Sequence, residues 1–179
     1  MQSDELEPKR ELHSFAQAAQ ELLSLLDGEA LALARVVPEL SGWSALAHVG
    51  HVSLANELVI KNLTALRKGE GLLVLREATP NPEALHILAS GQLPSGAASP
   101  RMVRPPADLD HATTLSWAAG VVQLIQPFAE QTDPGALQRL WIPHQILGPL
   151  TFAQWARFGA MHTRHHHALA LRVLTAKAS

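Results

Sequence analysis

Apolar residues spaced alternately three and four positions apart constrain the fold of this chain more than any other feature. In the first such stretch they form one stripe on an α-helix. The members of that stripe are Leu12, Phe15, Ala19, Leu22 and Leu26. We predict four helices, at about residues 10–36, 44–68, 108–130 and 151–176. Helices of this length predict an all-α fold, an antiparallel four-helix bundle.

Capping residues indicate where the predicted helices begin and end. Ser44 is a candidate N-cap of the second helix, and a basic residue followed by Gly69 marks its end. The third helix should open at Asp108 or Asp110, and the fourth should follow Thr151 as its N-cap. The 179 residues suffice for one core, so we expect a single domain over residues 1–179.

Two positions inside the predicted helices favour an interruption. Asp27-Gly28 can break the first helix before Pro38, where it must stop, and Pro127 should kink or end the third helix. A turn is predicted at Pro134-Gly135.

A long irregular connection over residues 69–107 separates the second and third helices and holds six of the twelve prolines. We expect it to cross the bundle, with a short helix from Asn81 to Gly91 and a possible extended segment at 72–77. Such long connections are often functional. Residues 143–150 are predicted to be a second irregular segment.

Four of the ten histidines fall in the sequence HTRHHH within the fourth helix. Because each helical residue turns about 100° from the last, the four point in different directions. His162 and His166 share the apolar, inward face. His165 lies at the edge of that face, and His167 points to solvent.

Histidines at positions i and i+4 can bind one metal ion, or they can be a buried pair held by hydrogen bonds. The second helix offers a third inward residue, His51, with His48 at the edge of the face. Since the chain has no cysteine, metal ligands are limited to His, Asp and Glu. Three imidazoles in an apolar core are costly without partners, and a shared ion is one compensation.

Two segments resemble the DinB/YfiT-like superfamily. GWSALAHVGHV (42–52) is similar to its Trp-Ser entry to the second helix, in which a histidine, here His51, follows the tryptophan by eight positions. LGPLTFAQWARFGAMHTRHHHALAL (147–171) is similar to its fourth helix, with HxxHH beginning at His162 and ending at His166. The resemblance implies a four-helix bundle whose three histidines bind a divalent metal ion. Imidazole ligands suit zinc or nickel.

The resemblance also implies a function, because characterised members include S-transferases that use low-molecular-weight thiols such as bacillithiol. We therefore expect a metal-dependent enzyme acting on a small molecule, with an external thiol as cosubstrate. The alternatives are a metal-dependent hydrolase at the same site and a non-enzymatic, stress-related binding bundle. Homodimers are common in the superfamily, so a homodimer is expected.

The neighbourhood of the site differs from that of many superfamily members. Gly159 stands where relatives often carry a histidine, and the apolar ALAL after HxxHH replaces a stretch that often contains glutamine. His48, His144 and His165 are candidates for two roles, a general base or a group that supports the metal ligands, and the sequence does not choose between these roles.

Charge and hydropathy disfavour two classes of partner. The net charge of −2 gives no positive surface for nucleic acid or an anionic membrane. No apolar run approaches the roughly 20 residues of a membrane span, and the N-terminus MQSDELEPKREL lacks the apolar segment of a secretory signal. We expect a cytoplasmic protein. Arg101 and Arg104 in the connection either meet an anionic substrate or are solvated.

Overall fold

The computed structural model describes residues 6–93, 99–131 and 139–176. Its helices are α1 (Pro8–Ser24), α2 (Ala30–Ala34), α3 (Ala45–Lys68), α4 (Pro82–Ser90), α5 (His111–Gln131) and α6 (Phe152–Thr175). Its strands are β1 (Ile142–His144) and β2 (Gly148–Leu150). Among the described residues, no helix combines the length and the apolar character that a membrane span needs.

The four long helices α1, α3, α5 and α6 pack as a bundle, which confirms the predicted four-helix bundle. Helices α1 and α3 each pack against both α5 and α6. Arg67 near the end of α3 lies 4.2 Å over the ring of Phe128 near the end of α5, and Gly50 near the start of α3 contacts Leu109 just before α5. Helices α3 and α5 therefore run in the same direction. The connection between them must be long because it leads from the end of α3 back to the level where α3 began.

Local capping accounts for the helix ends that the sequence predicted well. The Ser44 side chain accepts a hydrogen bond from the backbone N–H of Ala47, and Gly69, whose φ of 69° is left-handed, caps the C-terminus of α3. Thr151 and Gln154 form a capping box at the start of α6. The predicted short helix also forms, as α4.

The prediction of one helix over residues 10–36 is wrong, whereas the interruption considered at Asp27-Gly28 is confirmed. Helix α1 ends at Ser24 and is followed by a 3₁₀ turn at Leu25–Asp27 and by the short α2. Gly28 is extended, with φ −74° and ψ 169°, so the helical hydrogen bonds stop there. In contrast, Pro127 does not end α5, which continues to Gln131. The turn predicted at 134–135 lies outside the described residues.

A small hairpin replaces the irregular segment predicted at 143–150. Strands β1 and β2 pair antiparallel, and His144 Nδ1 accepts hydrogen bonds from the backbone N–H groups of Ile146 and Leu147 at 3.2 and 3.1 Å. The extended segment considered at 72–77 is reduced to one bridge between Leu75 and Trp141. Short hairpins carry little periodic signal, which is why the sequence pattern missed this one.

The apolar core divides into two clusters along the bundle. The larger contains residues such as Phe15, Leu63 and Trp155. The smaller contains residues such as Leu26, Val49 and Ala170. Where the clusters meet, α3 and α6 face each other with polar side chains, which we call the polar layer: His51, Asn56, His162, Thr163 and His166. The candidate site is part of this layer.

Candidate metal centre

The structure brings together the three histidines that the sequence selected. One ring nitrogen from each of His51, His162 and His166 lies within 4.8 Å of the other two. We call these residues the histidine cluster. Helices α3 and α6 run in opposite directions here. His48 contacts His166, whereas Asn56, which comes later on α3, contacts Thr163, which comes earlier on α6. The metal-ligand roles of the three histidines stay a prediction.

The donor set of the histidine cluster fits a divalent metal ion. The Nε2 atoms of His51 and His162 are 3.3 Å apart. Two nitrogens bound at about 2.0–2.1 Å to a tetrahedral ion are separated by about 3.3 Å. Three imidazoles are the protein ligands of some catalytic zinc sites, where the fourth position stays open for a reactant. His51 is buried and the other two residues are half-buried.

The crossover connection fixes the tautomer of His51. Its Nδ1–H donates to the backbone carbonyl of Val103 at 2.8 Å, and Ser99 Oγ lies 3.2 Å from the same nitrogen. Since a carbonyl oxygen can only accept, the proton of the neutral ring is on Nδ1 and the lone pair is on Nε2. Metal-binding histidines are commonly oriented by a hydrogen bond of this kind.

A chain of side chains supports His166 on the opposite side of the cluster. His166 Nδ1 lies 2.9 Å from His48 Nδ1, and His48 Nε2 lies 2.9 Å from Ser41 Oγ. The backbone N–H of Trp43 donates to the same hydroxyl oxygen at 3.0 Å. His48, expected at the edge of the inward face, is only 2% exposed.

His162 differs from the other two because one of its nitrogens is isolated. Its Nδ1 is buried without a hydrogen-bond partner among the described residues. The Phe158 ring stacks on the His162 ring with centroids 5.4 Å apart. On the other side of the cluster, the Trp43 ring lies 4.9 Å from the His51 ring. Two aromatic rings therefore flank the histidine cluster and limit its contact with water.

Burial keeps the histidines of this region neutral. It lowers the pKa of His48 to about 4 and of His162 to about 3, with neighbouring histidines adding to the effect. Burial is also the largest cause of the lowered pKa of His166, and of His51, where the hydrogen bond to Val103 opposes it. At neutral pH each ring therefore carries one lone pair that can bind a metal ion.

The other candidate residues do not join the histidine cluster. His165 is half-buried, with its ring 5.2 Å from that of His166, and burial lowers its pKa. His144 holds the hairpin turn through the two hydrogen bonds described above, and burial lowers its pKa to about 4. His167 is half-buried rather than fully exposed. Arg104 donates from Nε to the Ser99 carbonyl at 2.8 Å.

The substitution of glycine at position 159 has a packing explanation. A Cβ on Gly159 would lie 3.0 Å from three ring carbons of Phe15. That distance is shorter than ordinary van der Waals contact, so a histidine side chain cannot occupy the space while Phe15 stays in place. The Phe15 ring of α1 therefore fills the space next to Gly159.

Sequence reasoning left the role of His48 open, and it missed the other groups that support the ligands. His48 precedes His51 by three residues and so lies on a neighbouring part of the same helical face, which is a weak signal. Ser41 and the backbone carbonyl of Val103 carry no sequence signal, because their positions depend on how two connections fold against α3.

Comparison with known families gives a match that covers most of the chain. The sequence profile described as the DinB superfamily matches residues 14–170. That range contains the three residues of the histidine cluster together with Ser41 and His48. No curated protein and no solved structure gives a significant match.

Proposed function

Because the chain belongs to the DinB superfamily, we propose that it binds one divalent metal ion, zinc or nickel, through His51, His162 and His166. The observation that supports this most directly is the approach of three neutral imidazole nitrogens to within 4.8 Å of one another. The lone pair of His51 on Nε2 faces the other two histidines, because Nδ1–H donates its hydrogen bond to Val103.

We further propose that the protein is a metal-dependent S-transferase that uses a low-molecular-weight thiol. A divalent ion in this position would lower the pKa of a thiol and stabilise the thiolate. The superfamily resemblance supports this reaction class. The chain has no cysteine, so the thiol must come from a cosubstrate.

A cavity beside α6 is the proposed entry for the small-molecule substrate. Its volume is about 380 Å³, and it is lined by Gly91, Gln92, Leu93, Met161, Arg164 and His165. This volume falls within the range of small-ligand pockets. His165 borders the cavity, and its ring lies 5.2 Å from the ring of His166, a member of the histidine cluster. Arg164, held by hydrogen bonds to Ser14 at 2.9 and 3.1 Å, would attract an anionic substrate.

The hydrolase alternative has less support from the structure. Glu57, the acidic residue of α3, pairs with Lys61 at 2.7 Å, and its side chain is 49% exposed. In the described part of the chain, the three-residue cluster contains no carboxylate. A reaction that needs a carboxylate base at the ion is therefore disfavoured.

Metal content tests the first proposal. We expect about one equivalent of zinc or nickel in protein purified without a histidine tag, and much less in His51→Ala. His86→Ala is the matched control, because His86 is exposed and lies on α4 outside the cluster. If the native protein has no divalent ion and takes up none on dialysis, metal binding is wrong and the non-enzymatic bundle becomes the better hypothesis.

Turnover tests the second proposal. We expect metal-loaded protein to catalyse transfer of one thiol, from a panel of low-molecular-weight thiols, to a generic electrophile. His51→Ala should be inactive and His86→Ala should retain the activity. Metal binding without turnover for any thiol would exclude the S-transferase and leave the metal site standing.

We also propose, from the superfamily resemblance, that the protein is a homodimer. Light scattering coupled to size-exclusion chromatography should give twice the 19.3 kDa mass of one chain. A mass of one chain at micromolar concentration would contradict the proposal.

A further inference from the structure

We propose that His48 is a positioning residue that accepts a hydrogen bond from Nδ1–H of His166 and so holds the lone pair of His166 on Nε2. This inference rests on the proposed metal site, because it concerns the direction in which His166 presents its free nitrogen. It assigns a role to a buried side chain that is not a member of the histidine cluster.

The short contact between the two histidines permits only two arrangements of protons. The Nδ1 atoms of His48 and His166 are 2.9 Å apart, so one nitrogen donates and the other accepts. If His48 donates, the proton of neutral His166 must be on Nε2, and that nitrogen cannot bind a metal ion. If His48 accepts, His166 carries its proton on Nδ1 and Nε2 is free.

Ser41 completes the arrangement in which His48 accepts. With its Nδ1 lone pair used, neutral His48 has its proton on Nε2, which lies 2.9 Å from Ser41 Oγ. This oxygen also accepts from the backbone N–H of Trp43, and a hydroxyl oxygen can accept two hydrogen bonds. Ser41 is held in place by its own backbone N–H, which donates to the Val37 carbonyl at 2.9 Å.

The other two members of the cluster show why His48 matters for His166. A backbone carbonyl fixes the tautomer of His51, and that group can only accept. His162 has no partner at Nδ1 in the described chain. The support of His166 is a side chain that can itself donate or accept, so the residue at position 48 decides which nitrogen of His166 is free.

Two substitutions of His48 separate positioning from simple packing. In His48→Asn, Oδ1 occupies approximately the place of Nδ1 and can still accept from His166. In His48→Gln, the amide reaches approximately the place of Nε2 near Ser41 and leaves the place of Nδ1 without an acceptor. Both variants remove the same imidazole ring, so each is the matched control of the other.

Zinc affinity, measured by competition with a chromophoric chelator, is the first readout. Loss of a group that orients a metal-binding histidine typically lowers metal affinity about 10–100-fold. We expect a loss of this size for His48→Gln and a change of less than about 3-fold for His48→Asn. Equal losses in the two variants, or no loss in His48→Gln, would overturn the proposal.

The tautomer of His166 in the metal-free protein is the second readout and does not depend on metal binding. Long-range ¹H–¹⁵N spectra identify which ring nitrogen carries the proton. We expect Nδ1–H for His166 in the native chain and in His48→Asn, and substantial Nε2–H in His48→Gln. A native His166 protonated on Nε2 would refute the positioning role even if zinc binds. A native chain with the expected tautomer that binds neither zinc nor nickel would instead refute the proposed function.

Discussion

Two groups of buried polar side chains join α3 to α6 within the polar layer, and they differ in how completely their hydrogen bonds are made. The Asn56 amide donates to Thr163 Oγ1 at 3.0 Å. The Thr163 hydroxyl lies 2.7 Å from the Gly159 carbonyl and 3.2 Å from Asn56 Oδ1, so it has acceptors for its proton. In the histidine cluster, His162 Nδ1 is buried without a partner among the described residues.

This difference favours a structural role for the Asn56–Thr163 pair and a binding role for the histidine cluster. Asn56 and Thr163 satisfy each other inside the protein, which is the usual condition for burying polar groups. The histidine cluster places three lone-pair donors side by side and leaves one buried nitrogen unpaired, which costs stability. Ring nitrogens that converge from three side chains favour a site for an added ion, whereas the Asn56–Thr163 pair is complete without one. Three experiments test this distinction, from the largest expected effect to the smallest.

Zinc should stabilise the protein through the histidine cluster alone. With free zinc at 100 times its dissociation constant, binding adds about 2.7 kcal/mol to the free energy of unfolding. For a chain of this length that raises Tm by roughly 5–10 °C. Differential scanning calorimetry should show this rise in the native protein and in Thr163→Val, but not in His162→Ala. A rise of the same size in His162→Ala would mean that zinc binds elsewhere.

Thr163→Val should destabilise the protein with or without metal. It removes the partner of the buried Asn56 amide, and an unsatisfied buried donor costs about 1–3 kcal/mol. The midpoint of urea unfolding should fall accordingly. The double variant Asn56→Leu/Thr163→Val should recover most of the loss, because replacing both partners by apolar groups is nearly neutral. If the single variant is as stable as the native chain, the pair does not have the structural role assigned to it.

Low pH should reduce the free energy of unfolding of the metal-free protein through its buried histidines. The Asn56–Thr163 pair should not contribute to this effect, because neither side chain titrates. The folded-state pKa is lowered to about 4 for His48 and about 3 for His162, from an ordinary value of 6.5. Their contribution to stability is therefore complete above pH 6.5 and declines as the pH falls below it, because the unfolded chain takes up the protons first. Each such histidine contributes a slope of about 1.4 kcal/mol per pH unit.

Urea unfolding of the metal-free protein between pH 7.5 and 5 measures this slope. His48→Asn should show a smaller slope than the native chain, since one buried neutral histidine is gone. Identical slopes in the two proteins would show that His48 is not kept neutral by the fold.

Local sequence determined the parts of the fold that depend on nearby residues. Ser44, Gly69 and Thr151 set helix ends because a cap acts within a few residues of itself. The first helix was predicted too long because its apolar character continues past Gly28, where the backbone becomes extended. The hairpin was missed because strands of three residues carry too little alternation to be recognised.

The sequence by itself also placed His51, His162 and His166 on the inward faces of their helices, since the 100° rotation per helical residue is fixed by local geometry. Only the tertiary structure decided what those histidines meet. Val103 reaches His51 because the crossover connection folds over α3. His48 reaches His166 because α3 and α6 pack with one particular shift along their axes. The axial shift and the rotation of one helix relative to another are set by the packing of the whole core, so no short segment of the sequence encodes them.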